Sequence, residues 1–198
     1  MAENHYSKPD YWSRKAFSEG YPARSVYKLK EIDEKFSMIK KHFSILDLGA
    51  APGSWTTYIL RKLDGKGRLV SVDLSPLASG VKGENLTFFQ GDLYDENIRN
   101  EVFRLGPYNL VVSDAAPATT GNRTVDTARS EGLVELVLFY GEEVLVPGGN
   151  FVVKIFQGGG EQLLMKKMRN VFSSVKAFKP EACRQESFET YLIGIGKK

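Results

Sequence analysis

The chain is short of the residues that hold metals. Its 198 residues include one cysteine, Cys183, and two histidines, His5 and His42. A single thiol excludes an intrachain disulfide and a thiolate zinc cluster, and the histidines stand in neither an HxH nor an HExxH spacing. No metal site is therefore expected. No apolar run approaches the ~18 residues of a membrane-spanning helix. The start, Met1-Ala2-Glu3-Asn4-His5-Tyr6, lacks the apolar stretch of a secretory signal. A cytoplasmic protein with no membrane contact is the expectation. Internal repeats, low-complexity tracts and long linkers are missing too, and one domain over residues 1–198 suffices at this length. No long apolar surface stripe calls for an obligate partner copy, so a monomer is expected. Charge of one sign is scarce: 27 Lys and Arg against 24 Asp and Glu leave a net +3. That slight basic bias permits a nucleic acid partner without demanding one.

What is present divides in two. Residues 1–41 interleave cations (Lys8, Arg14, Lys15, Arg24, Lys28) with Tyr6, Tyr11, Trp12, Phe17, Tyr21 and Tyr27. This stretch reads as an irregular arm followed by a helix over 24–36, where Val26, Leu29, Ile32 and Phe36 recur at helical spacing. Residues 42–198 read as a sheet core. Short apolar runs at 44–48, 68–73, 86–89, 109–113 and 150–155 predict strands, with helices at 53–62, 125–146 and 161–170. Pro147-Gly148-Gly149 is a stop signal for the long helix. Two last strands, 174–178 and 191–195, have no helix between them and are expected to pair antiparallel at one edge. Alternating strands and helices predict an α/β fold: a mostly parallel, seven-stranded sheet with helices on both faces. Such sheets bind ligands beyond the carboxyl ends of their strands.

Those ends are chemically informative. The first opens into Asp47-Leu48-Gly49-Ala50-Ala51-Pro52-Gly53-Ser54-Trp55, whose small residues let a ligand lie against backbone at a helix N-terminus. The second ends at Asp73, at an offset where an acid can accept from both hydroxyls of an adenosine ribose. The third leads into Gln90-Gly91-Asp92-Leu93, where an amide or carboxylate could read an adenine edge. The fourth ends at Ser113-Asp114-Ala115-Ala116-Pro117. A dinucleotide-binding dehydrogenase is the alternative, but its G-x-G-x-x-G is absent, and Pro52 removes a donor where a pyrophosphate would want one. The loop suits a nucleoside without phosphates, such as S-adenosylmethionine. Lys154, in the otherwise apolar run Phe151-Val152-Val153-Lys154-Ile155-Phe156, is costly unless its ammonium is paired or used. Asp114, just past the neighbouring strand, could supply the pairing.

Four separated motifs carry a family resemblance. The 47–55 loop resembles the S-adenosylmethionine motif of the FtsJ/RlmE (RrmJ) family of RNA 2′-O-ribose methyltransferases. Segment 113–121 resembles its S-D-x-A-P-x-x-x-G block. Lys179-Pro180-Glu181-Ala182 with Ser187-Phe188-Glu189-Thr190-Tyr191 resembles its C-terminal block, and Arg24-Ser25-Val26-Tyr27-Lys28-Leu29 its helix before the cofactor motif. The likeness spans residues 11–196. One departure is Ser54, where the bacterial pattern usually has a second glycine.

The resemblance implies a Rossmann-like class I methyltransferase fold, with S-adenosylmethionine as cofactor, S-adenosylhomocysteine as product and no metal. It implies a catalytic tetrad of Lys28, Asp114, Lys154 and Glu189. The cofactor-binding set then comprises Gly49, Ala51, Pro52, Gly53, Trp55, Asp73, Leu74, Asp92, Leu93 and Asp114. It also implies an RNA substrate, a uridine of large-subunit ribosomal RNA, free or within the assembled subunit. A tRNA anticodon loop, or a catalytically silent RNA-binding module, are the competing readings. RNA contacts are expected from Lys8, Arg14, Lys15, Arg24, Lys179 and Arg184. The aromatics among the arm's cations would either stack bases or pin the arm to the core.

Overall fold

The computed structural model describes residues 10–184 and 186–198; Lys8 lies outside them. Seven strands form one sheet in the order β3-β2-β1-β4-β5-β7-β6. They are β1 Ser44–Leu48, β2 Arg68–Asp73, β3 Leu86–Gln90, β4 Tyr108–Ser113, β5 Leu145–Phe156, β6 Phe172–Phe178 and β7 Glu189–Lys197. Strands β1 to β5 pair in parallel, and β7 runs antiparallel to both β5 and β6. Six helices accompany them: α1 Tyr11–Ser18, α2 Val26–Phe36, α3 Ser54–Leu63, α4 Glu96–Arg104, α5 Arg123–Val144 and α6 Glu161–Val171. Among the described residues no helix is long and apolar enough to cross a membrane.

The period-two alternation of the strands sorts the core into two layers. Ile45, Leu69, Leu110, Val112, Val152 and Ile193 face one way and pack with Ala16, Leu29, Ile32 and Ile59 from α1, α2 and α3. Leu46, Val70, Val111, Phe151 and Val153 face the other and pack with Val102, Val137 and Met168 from α4, α5 and α6. Lys154 follows Val152 on the α2 side. Strand alternation alone therefore aims its side chain at the helix that carries Lys28.

Three local differences from the sequence reading have physical causes. The arm is not irregular throughout: Tyr11–Ser18 is helical, capped by Asp10, whose carboxylate accepts from Ser13 N at 2.8 Å. Helix α4, which the reading left out, is likewise capped by Asp95, accepting from Asn97 N. It buries only Val102 fully, so its apolar signal is faint. The long helix stops at Val144, and β5 begins at Leu145. Pairing shifts from Tyr108↔Leu145 to Leu110↔Asn150, so Pro147-Gly148-Gly149 forms an irregularity inside β5 rather than a linker before it.

Candidate active site

Strand register assembles the site. Leu48 lies level with Val72 on one side and Ser113 on the other, and Ser113 lies level with Val153. The next residues along, Gly49, Asp73, Asp114 and Lys154, therefore form a row across the rim. Lys154 in turn pairs with Tyr191. Gly49 has φ +78°, and a Cβ there would come within 2.7 Å of Ala115 backbone. Only glycine lets the β1–α3 turn pass so close to the segment after β4.

The four candidate catalytic side chains meet as two ion pairs. Lys154 Nζ lies 3.0 Å from Asp114 Oδ1 and donates to the Asp114 carbonyl at 2.5 Å. Lys28 Nζ lies 2.7 Å from Glu189 Oε1. Lys154 is only 8% exposed, so its ammonium is paired rather than turned to solvent. Tyr191, fully buried, donates from its hydroxyl to Asp114 Oδ1 at 2.7 Å. The sequence reading missed this residue, although its place two residues after Glu189 on a strand puts it on the same face.

The pairing sets protonation. Burial opposes ionisation of Asp114, but the charges of Lys154 and Lys28 outweigh it and hold its carboxyl below the ordinary value. Burial would likewise lower Lys28, yet the Asp114 and Glu189 carboxylates more than offset it, and Lys28 is held cationic. Tyr191 is kept protonated by burial and by the same two carboxylates. Cys183 nearby is pushed up to about 12 by burial and by Glu189, so its thiol is no nucleophile at neutral pH.

Two clefts meet at this group. One, of about 600 Å³, is lined by Gly49, Ala51, Asp73, Leu74, Asp92, Leu93 and Asp114 of the expected cofactor set, with Tyr94, Arg129 and Leu133. Asp73 accepts from Ala51 N at 2.9 Å and Ser75 N at 2.7 Å, which fixes its carboxylate at the rim. Among the described residues lining this cleft, three are carboxylates and Arg129 is the single cation. Such walls suit a cationic nucleoside and repel a pyrophosphate. Pro52, Gly53 and Trp55 do not line it. Pro52 O accepts from Ala78 N, and a Cβ on Gly53 would meet Val81 at 2.8 Å. Trp55 is buried, its indole donating to Ser25 O at 2.9 Å and its ring 5.8 Å from that of Tyr191; it supports the tetrad from below. Ser54 is buried with a hydroxyl that makes no hydrogen bond.

The second cleft, of about 540 Å³, is lined by Arg24, Ser25, Lys28, Thr119, Arg184, Phe188 and Glu189 among others. Asp114 therefore belongs to the first cleft and the Lys28–Glu189 pair to the second, with Lys154 joined to Asp114 at the boundary. The wall of the second cleft is stapled together. Glu31 of α2 accepts from Glu181 N at 2.6 Å and Ala182 N at 2.9 Å. Arg24 donates to Ala182 O at 2.7 Å and ion-pairs with Asp10.

The expected RNA-contacting cations are spread out. Arg24 and Arg184 line the second cleft. Lys179 is exposed and donates to Ser187 O at 2.7 Å. Lys15 sits over the Trp12 and Tyr27 rings, and Trp12 packs on Tyr27 at 5.0 Å, so this aromatic pins the arm to the core. Arg14, Tyr11 and Phe17 are exposed on α1.

Comparison with known proteins gives the family. The FtsJ-like methyltransferase family profile matches residues 21–197. A ribosomal RNA large subunit methyltransferase E of Treponema denticola is 61% identical over 100% of both chains. Its namesake in Borreliella afzelii is 46% identical over 93% of this chain and 96% of that one. Among solved structures, a protein of Plasmodium falciparum described as a ribosomal RNA methyltransferase superposes with a TM-score of 0.78 at 27% identity, covering 89% of this chain and 98% of the other. Human methyltransferase-like protein 13, in complex with SAH, shares the fold at a TM-score of 0.57 and 13% identity over 78% of this chain and 72% of the other.

Proposed function

The chain belongs to the FtsJ-like methyltransferase family, and we propose that it transfers a methyl group from S-adenosylmethionine to a ribose 2′-hydroxyl of large-subunit ribosomal RNA, at a uridine, in the cytoplasm. One observation carries the reading: a nearly buried lysine, Lys154, is held 3.0 Å from Asp114 Oδ1, and that aspartate lines an anionic cleft while Lys28 and Glu189 line a second one.

The cofactor, when bound, supplies an electrophilic methyl on a cationic sulfur. The anionic lining of the first cleft fits that charge, and the Asp73 carboxylate fits a ribose diol. Everything else falls to the chain's own side chains. A neutral 2′-hydroxyl is a weak nucleophile. Lys154 Nζ steers its oxygen and stabilises the negative charge that grows on it. Asp114, held ionised, fixes Lys154 through both its carboxylate and its carbonyl. Lys28, held cationic by Asp114 and Glu189, binds the acceptor sugar from the opposite wall, and Glu189 keeps that ammonium in place. The hydroxyl proton leaves to solvent as the new C–O bond forms and the C–S bond breaks. No covalent enzyme intermediate is needed, so positioning and electrostatics supply the rate.

The test is transfer of labelled methyl to purified ribosomal subunits and tRNA. Label in the large subunit, abolished by Lys154→Ala while calorimetry still detects cofactor binding, is the expected result. Label in tRNA alone would move the substrate to the anticodon loop. Binding of RNA with no label would leave a silent binding module, and full turnover by Lys154→Ala would remove that residue from the chemistry.

A further inference from the structure

The second cleft contains a feature that the tetrad does not use. Phe188 immediately precedes Glu189 and lines the same cleft. Its backbone is fixed, since its carbonyl accepts from Gln157 N at 2.7 Å. Its ring is braced from two directions. The Phe156 ring lies 4.8 Å away at 60°, and the Arg123 guanidinium lies 5.4 Å from the ring centroid. Arg123 is itself held, donating to Gln157 O at 3.3 Å. Phe188 is nevertheless half-buried rather than buried, and it lines the cleft. A rigid aromatic surface kept partly open beside a sugar-binding ion pair has no packing purpose that a leucine would not serve.

The geometry fits one occupant. A ribose whose 2′-oxygen reaches Lys154 must carry its base from the neighbouring carbon, within a few ångströms of the tetrad. The cleft's volume, about 540 Å³, falls in the range of small-ligand sites, large enough for one nucleotide. Ser25, the cap of α2, and Lys28 on α2 line the same cleft, polar groups suited to a sugar and its phosphate and not to an apolar side chain. Of the groups on a nucleotide, only the base offers a face that gains by lying on a ring.

We propose that Phe188 is the base platform of the acceptor nucleotide: its ring packs on the flat face of the target base, and the Arg123 brace holds it there. The inference rests on the methyltransferase reading above and specifies how that site presents its substrate. Stacking accepts any base, so the platform sets how the target nucleotide is held after it leaves the RNA stack, not which base is chosen.

The experiment compares Phe188→Leu and Phe188→Trp with wild type, using large ribosomal subunits from a strain lacking the enzyme as substrate. Leucine retains the apolar packing on Phe156 and loses the ring; tryptophan retains a ring. Phe188→Leu should raise KM for the subunit about tenfold, from the loss of one base–aromatic stack, with a smaller fall in kcat. Cofactor affinity by calorimetry and the melting temperature should stay near wild type, and Phe188→Trp should recover most of the KM. Equal KM values for the leucine variant and wild type would overturn the proposal. So would a rise in KM accompanied by an equal loss of cofactor affinity, which would make Phe188 a structural support. Absence of any wild-type activity on these subunits would instead strike the methyltransferase reading itself.

Discussion

The two clefts that meet at Asp114 are built in opposite ways. The first cleft comes from consecutive strand ends: the turn after β1, Asp73 at the end of β2, Asp92 after β3 and Asp114 after β4. Parallel register makes their positions follow from the chain's own order. The second cleft is assembled from α2, the segment before α5 and the segment before β7, parts separated by most of the chain. It is held by side-chain-to-backbone bonds such as Glu31 to residues 181 and 182. The first cleft is anionic and the second mixed, with guanidinium, ammonium, carboxylate and hydroxyl groups beside one ring. The proposed reaction, bringing a cationic nucleoside to one side and a polyanion to the other, would use that asymmetry, and the two lysine–carboxylate pairs divide it.

The largest test of this division removes the residue that serves both sides. Asp114→Asn should cut turnover about a thousandfold and weaken cofactor binding as well. It leaves Lys154 without its counter-charge in a nearly buried place, which should cost about 3 kcal/mol of stability by chemical denaturation. Acid titration separates the clefts differently. Asp47, fully buried beneath the cofactor turn, is pushed up to about 7 by burial, against the opposing bond from Thr56. Its unfolded value is ~3.9, so the folded state binds the proton more tightly. The stability this lends is present in full below pH ~4 and is lost as pH rises to about 7. Asp47→Asn has no such dependence. Its stability relative to wild type should therefore climb by about 4 kcal/mol between those limits and then level off, as followed by denaturant midpoints across pH.

Two smaller changes should each touch one side. Asp73→Ala should weaken cofactor binding about thirtyfold, near the loss of a charge-assisted bond, and leave the affinity for RNA unchanged in filter binding. Should RNA affinity fall equally, the clefts are not independent. Tyr191→Phe removes a single hydrogen bond to Asp114 Oδ1 and nothing else from the lining. Turnover should drop about tenfold while cofactor affinity holds; unchanged turnover would mean that the two lysines alone position Asp114.

The same contrast explains what could be read in advance. The turn at Gly49, the acid ending β2, the acid just past β3 and the lone lysine in an apolar strand are local patterns with local causes, and all are visible in the sequence. Lys28 and Glu189 were not distinctive as residues on a helix and at a strand start; only motif likeness singled them out, and only tertiary contact makes them a pair. Trp55, inside the most recognisable motif, turned out to face the core because helix α3 rotates it away from the cleft, an orientation that motif spelling does not encode. Helix α1 was hidden because it has only 8 residues, buries Ala16 alone and starts at one Asp10 cap. Arg24 is singled out by its charge alone, and only the fold shows that it lines the second cleft while its guanidinium is engaged by Asp10 and the Ala182 carbonyl.

The bonds from Glu31 to residues 181 and 182 tie two stretches of sequence some 150 positions apart across one wall. The first cleft needs no such tie, because the sheet itself sets the spacing of the strand ends that line it. Cutting the tie at Glu31 should therefore let one wall drift while the sheet-built groove keeps its shape.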